Sequence, residues 1–177
     1  MTHLHKNMDY PVLTLRYLAI ATLFGICSVT AHAEKAFELI THPAEIYGVD
    51  NIANGEVTKG VERLETRLGS DRQPQSKRAP VLIDLCVGYT MLKDFEQASQ
   101  ACDQAVEIGW YSGLAYNNRG VLKITQGDYE GAIRDFSSAI EKSGADRVAE
   151  RNMEHAVERL AAINAERIDA YVADAGQ

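Results

Sequence analysis

Two stretches of this chain repeat each other at an offset of 34 residues, and no other feature restricts the fold so tightly. LCVGYTMLKDFEQASQACDQAVEI (85–108) lies over RGVLKITQGDYEGAIRDFSSAIEK (119–142). Asp94 then meets Asp128, Phe95 meets Tyr129, Ala98 meets Ala132, Cys102 meets Phe136 and Ala105 meets Ala139. A fixed period of this length marks a stacked-repeat architecture, in which each unit buries its apolar face only against its neighbours.

Each unit reads as two helices. In the later one, Tyr129, Ala132, Ile133, Phe136 and Ile140 recur at helical spacing and form one apolar stripe. Gly127-Asp128 stops the helix before it and caps this one. The preceding helix carries Tyr116, Gly120 and Leu122, with Gly120 letting its partner approach closely.

With these residues in place, the chain resembles the tetratricopeptide repeat (TPR) family of exported bacterial type, whose unit is a helix–turn–helix. In 113–146, Tyr116 takes the first aromatic slot, Gly120 the Gly slot, and Ala132, Phe136 and Ala139 the three slots of the second helix. Arg119, Lys123 and Gly144 depart from the Leu, Tyr and Pro usual there. In 79–112, Leu82, Leu85, Tyr89, Ala98 and Ala105 match in kind, while Cys86 replaces the Gly, Cys102 the aromatic and Trp110 the Pro. The resemblance implies an all-α, short right-handed α-solenoid of about three helix pairs plus a C-terminal capping helix.

Upstream, 43–71 reads as a degenerate repeat with a shortened first helix, or else as an irregular segment lying along the stack. The link 70–80, with two prolines, reads as a longer loop. Downstream, Ala149, Met153, Ala156, Leu160 and Ile163 mark the capping helix, 147–163, followed by a tail, 164–177, that continues as a short helix or frays.

The family's two slots held here by Cys86 and Cys102 meet at the helix–helix contact, about eight residues either side of the turn at Lys93-Asp94. The resemblance therefore implies a Cys86–Cys102 disulfide; two buried free thiols acting as small hydrophobes are the alternative.

First helices of successive repeats line a concave groove in this family. Leu82, Leu85, Cys86 and Tyr89 should face their own partner helix, which leaves Ile83, Val87 and Met91 as a second stripe. Leu114, Asn117, Val121 and Ile124 take the corresponding positions in the next repeat. A helix apolar nearly all round is buried on both sides. The cover is a partner's peptide or helix, a second copy of the chain, or its own segment such as AFELI, 36–40. Some relatives grip a C-terminal carboxylate with a Lys/Arg-and-Asn set; Asn117 and Asn118 alone are too little for that, so the ligand is expected to be apolar or basic. Trp110 is expected to staple onto the next repeat, with an exposed contact as the alternative.

Ahead of all this, Lys6 and Arg16 precede the apolar run YLAIATLFGICSVT, 17–30, and AHA, 31–33, offers a cleavage point. Residues 1–33 therefore read as a signal peptide, with an uncleaved membrane anchor as the alternative. A lipid anchor on Cys27 fits poorly, since Ile26 stands where a small residue is needed. Cleavage after Ala33 leaves 144 of the 177 residues, beginning with a leader segment, 34–42, and moves the net charge from −7 to −8. The expected location is the periplasm.

An acidic balance and the lack of a basic run argue against nucleic acid as a partner. HExxH, Cys/His clusters, Walker-type loops and GxSxG are all missing, and the two histidines outside the signal peptide, His42 and His155, are far apart. No catalytic residue, metal or cofactor is expected. His155 reads as an exposed helix residue. The chain reads as a non-enzymatic interaction adaptor of the cell envelope whose partner is another protein or peptide. The alternative is a self-associating structural protein, a homo-oligomer, whose groove is covered by its own N-terminal segment or a second copy.

Overall fold

The computed structural model describes residues 12–14, 36–42, 48–69, 73–144 and 147–175. Apart from Val12–Thr14, the expected signal peptide lies outside them. Two short strands, β1 (Val12–Thr14) and β2 (Glu38–Ile40), precede seven helices among the described residues. These are α1 (Val49–Ala53), α2 (Val57–Leu68), α3 (Gln75–Leu92), α4 (Phe95–Ile108), α5 (Ser112–Thr125), α6 (Tyr129–Ser143) and α7 (Arg147–Ala175). The chain is all-α apart from the small ribbon. Consecutive helices pack as antiparallel neighbours, and α3 also touches α5, so successive first helices share one face.

Local chemistry explains the boundaries. Asp94 and Asp128, equivalent in the two repeats, cap α4 and α6 by accepting from Gln97 N and Gly131 N at 3.3 and 2.8 Å. Gly109 closes α4 with φ of 76°, where a side chain would be strained. Gly120 sets the α5–α6 distance: a Cβ there would lie 2.5 Å from the Phe136 ring. Ala98, Ala105, Ala132, Phe136 and Ala139 have no exposed surface, Tyr89 is buried, and Tyr116 and Tyr129 are part-covered at the edges of the same contacts. The sulfurs of Cys86 on α3 and Cys102 on α4 lie 1.98 Å apart, at disulfide distance.

Three features differ from expectation. The loop 70–80 is shorter, because α3 starts at Gln75 behind the extended Pro74 and carries Pro80 inside its second turn. The polar first turn, QSKR, supplies good helix formers, and only one intrahelical donor is lost at Pro80. The last helix does not stop at 163 but runs to Ala175, since the next helix breaker is Gly176. Its end presents Ile168, Tyr171 and Val172 to solvent. Finally, Trp110 is 52% exposed rather than a staple.

Candidate functional site

Residues 36–42 run as an extended strap containing β2 along the face formed by α3, α5 and the first half of α7. Ile83, Val87 and Val121 are fully buried, Leu114 nearly so, and Met91 and Ile124 are part-covered. All six belong to or pack against the apolar cluster that also holds Leu39 and Ile40 of the strap. Burial of Leu39 and Ile40 contributes roughly 1.5–3 kcal/mol each.

Main-chain groups of the strap are held by a polar ladder with the period of the repeat. His42 N donates to Asp84 Oδ1 at 2.7 Å, Ile40 N to Asn118 Oδ1 at 2.9 Å, and Glu38 N to Asn152 Oδ1 at 2.9 Å. Asp84, Asn118 and Asn152 stand 34 residues apart, one on each of α3, α5 and α7. Each step of one repeat therefore matches a step of two residues along the strap, which runs opposite to the repeat order. Both asparagines also donate back: Asn118 Nδ2 to Ile40 O at 2.7 Å and Asn152 Nδ2 to Glu38 O at 2.9 Å. Asn117 adds a bond to Glu38 O at 3.1 Å and accepts from Asn152 Nδ2 at 2.9 Å.

All four ladder side chains are wholly buried. Buried amides without partners would be costly, so the ladder requires an extended main chain on top of it. Outside the ladder, Arg151 forks onto the Glu38 carboxylate at 3.0 and 3.1 Å. Phe37 meets His155 edge-on at 6.3 Å, so His155 is partly covered rather than free on the helix surface. His42 stacks edge-on against the half-exposed Tyr111 at 4.2 Å.

Asp84 is the rung that differs. Burial pushes its carboxyl well above the usual carboxylate range, partly opposed by the hydrogen bond from His42 N. A protonated carboxyl offers one acceptor and one donor, the pattern of an asparagine amide. Burial also lowers His42 below its ordinary value.

Behind the ladder, ion pairs brace the second helices. Arg119 forks onto Asp135 at 2.8 Å through both nitrogens and reaches Asp103 at 2.9 Å, while Lys123 meets Asp135 at 2.7 Å. The Asp135 bonds raise Arg119 further above its usual range. A cleft between α2, α3 and α4 is lined by Glu65, Arg78, Tyr89 and Gln97. The Tyr89 hydroxyl donates there to Glu65. Among the described residues, no cluster of His, Cys, Asp and Glu could hold a metal ion, and no helix is long and apolar enough to cross a membrane.

Solved structures share this helix arrangement. The first TPR of Spaghetti (RPAP3), bound to the HSP90 peptide SRMEEVD, superposes with a TM-score of 0.56 at 19% identity, over 64% of this chain and 87% of that one. The fold is that of a TPR domain. The Arabidopsis OM64 TPR domain gives 0.55 at 20% identity, over 62% and 88%. The second TPR domain of human RPAP3, in complex with the HSP70 peptide SGPTIEEVD, gives 0.54 at 17% identity, over 62% and 88%. Among curated proteins, the DnaJ protein P58IPK homologs A and B of Oryza sativa subsp. japonica are each 29% identical over 97 residues, 55% of this chain. The chain spans about a fifth of the length of those relatives (20% and 21%). No family model matches the chain.

Of the seven expected groove residues, six belong to or pack against the core cluster that includes Leu39 and Ile40, and Asn117 is hydrogen-bonded to the strap at Glu38 O. Asp84, Asn118 as a main-chain clamp, Asn152, Glu38 and Arg151 escaped the apolar pattern. The same 34-residue offset, applied to polar positions, aligns Asp84, Asn118 and Asn152.

Proposed function

We propose that the chain is a non-enzymatic protein–protein interaction adaptor of the cell envelope, and that its concave face engages an extended segment of a partner protein or peptide. One observation carries this: each repeat places one buried polar side chain on the main chain of an extended segment, the chain's own strap, which thereby becomes part of the face that a partner's extended segment would meet. Two of the similar TPR domains carry chaperone peptides, which supports a peptide as the class of partner. Those peptides are acidic, whereas the ladder here is Asp84 and three asparagines, and Arg151 is paired with Glu38. An apolar or basic segment suits this face better. The reading of residues 1–33 as a signal peptide, and the disulfide distance between Cys86 and Cys102 that suits an oxidising compartment, support the envelope as the location.

The strap favours a second reading, in which the protein covers its own face permanently and acts as a self-associating structural element. A photo-crosslinking amino acid at Tyr111, beside the end of the strap, separates the two in the native cell. The adaptor reading expects an adduct with a different polypeptide, formed at Tyr111 but not at Tyr171 on the exposed end of α7. An adduct only with a second copy, or none, favours the structural reading.

A further inference from the structure

We infer that the outer edge of β2 is a strand-acceptor site, on which a partner's extended segment adds as the next antiparallel strand. In the full-length chain that place is held by Val12–Thr14. The inference deepens the concave-face reading and rests on the further reading of 1–33 as a removable leader.

Successive residues of an extended chain turn their peptide groups to opposite edges. Glu38, Ile40 and His42 face the ladder with their N–H groups, and Glu38 and Ile40 with their carbonyls too. Phe37, Leu39 and Thr41 must therefore turn theirs to the other edge. That is the edge where β1 pairs, with Leu13 opposite Leu39 and flanked by the pairs Val12–Ile40 and Thr14–Glu38. The strap thus stands edge-on: its floor is closed by side chains, and only its outer edge can take another strand. Thr41, on that same edge, keeps its buried hydroxyl without a hydrogen-bond partner among the described residues. Removing 1–33 takes β1 away and leaves strand-edge groups over a buried apolar floor, a position that unpaired backbone avoids.

The incoming segment is an extended, uncharged or basic stretch of a partner, with a free N–H opposite Leu39. The ladder remains occupied by the strap, so the partner adds to the strap instead of displacing it. A second copy is disfavoured, because two chains of net charge −8 would have to meet over three residues.

The test uses full-length protein and a labelled peptide of residues 10–16, YPVLTLR, read by fluorescence anisotropy. Leu13→Pro removes the donor facing Leu39 and should free the edge, strengthening peptide binding by about tenfold or more over the wild type. Val12→Pro, whose N–H faces away from β2, should leave binding at the wild-type level. N-methylation of the peptide at Leu13 should abolish the gain. Equal binding of the methylated peptide, equal effects of the two proline variants, or a Leu13→Pro dimer that excludes the peptide would each overturn strand addition. A native protein whose intact mass still includes residues 12–14 would overturn the unmasking. Neither result touches the concave-face reading, which stands or falls with the Tyr111 adduct.

Discussion

Asp84 occupies the rung that asparagine fills in the two later repeats, and burial holds its carboxyl well above the usual carboxylate range. The folded chain therefore keeps a proton on Asp84 at pH values where the unfolded chain has released it. This contribution to stability is complete below the ordinary carboxylate pKa and is lost as pH rises through the raised value. Asp84→Asn keeps the acceptor for His42 N and makes the donor permanent. Urea unfolding should show the variant more stable than wild type at pH 8, by about 1–3 kcal/mol for relieving a buried ionised oxygen without a partner. Below about pH 4 the difference should vanish. Asn118→Leu probes the next rung and leaves Ile40 N–H and C=O buried without partners. The expected loss is about 1–3 kcal/mol for each group, together with faster hydrogen exchange at the Ile40 amide. These rungs were hard to see in the sequence for a physical reason. An Asp or Asn within a helix usually points to water, and a search tuned to apolar slots passes over a polar position even when it repeats at the same offset.

At the scale of the element, the helix pairs were legible because their signals are redundant. Asp94 and Asp128 as caps, Phe95 and Tyr129 as first-turn aromatics, and Ala98 and Ala132 at the crossing all fall at one offset. Gly120 is the most demanding of these positions. Gly120→Ala drives a methyl group to 2.5 Å from Phe136, and overpacking of this kind should cost about 1–3 kcal/mol in a thermal or denaturant melt. The Cys86–Cys102 bond closes a loop of 16 residues, so reduction should cost about 3 kcal/mol, read from melts with and without a reductant. The boundaries of α3 and α7 were less legible. Proline at 74 and 80 looks like loop chemistry, although one of them caps a helix and the other is tolerated near its start. The strap carried least local signal of all: a few extended residues have no periodicity, and their structure comes entirely from the groove beneath them.

For the molecule as a whole, the strap is a tie that joins α3, α5 and α7 across one face. It contributes Leu39 and Ile40 to the core and is bonded to α3, α5 and α7 in turn. Ile40→Asp should detach it, placing a carboxylate where the apolar cluster now closes. A stability loss of about 3–5 kcal/mol is expected, as for other buried unpaired charges, with residues 36–42 becoming open to limited proteolysis. If the proteolysis pattern of the variant matched the wild type, the strap would not be the cover described above.

The direction of the strap also fixes an order of events in time. Glu38, near its start, is held by Asn152, which lies 114 residues further along the chain, whereas His42 is held by Asp84, only 42 residues on. A ribosome delivering this polypeptide therefore supplies the anchor for the far end of the tie last, after every helix of the repeats has emerged. Closure can begin at His42 and travel backwards towards the N-terminus, but it cannot finish until α7 exists. Until then the start of the strap at Glu38 stays unfastened.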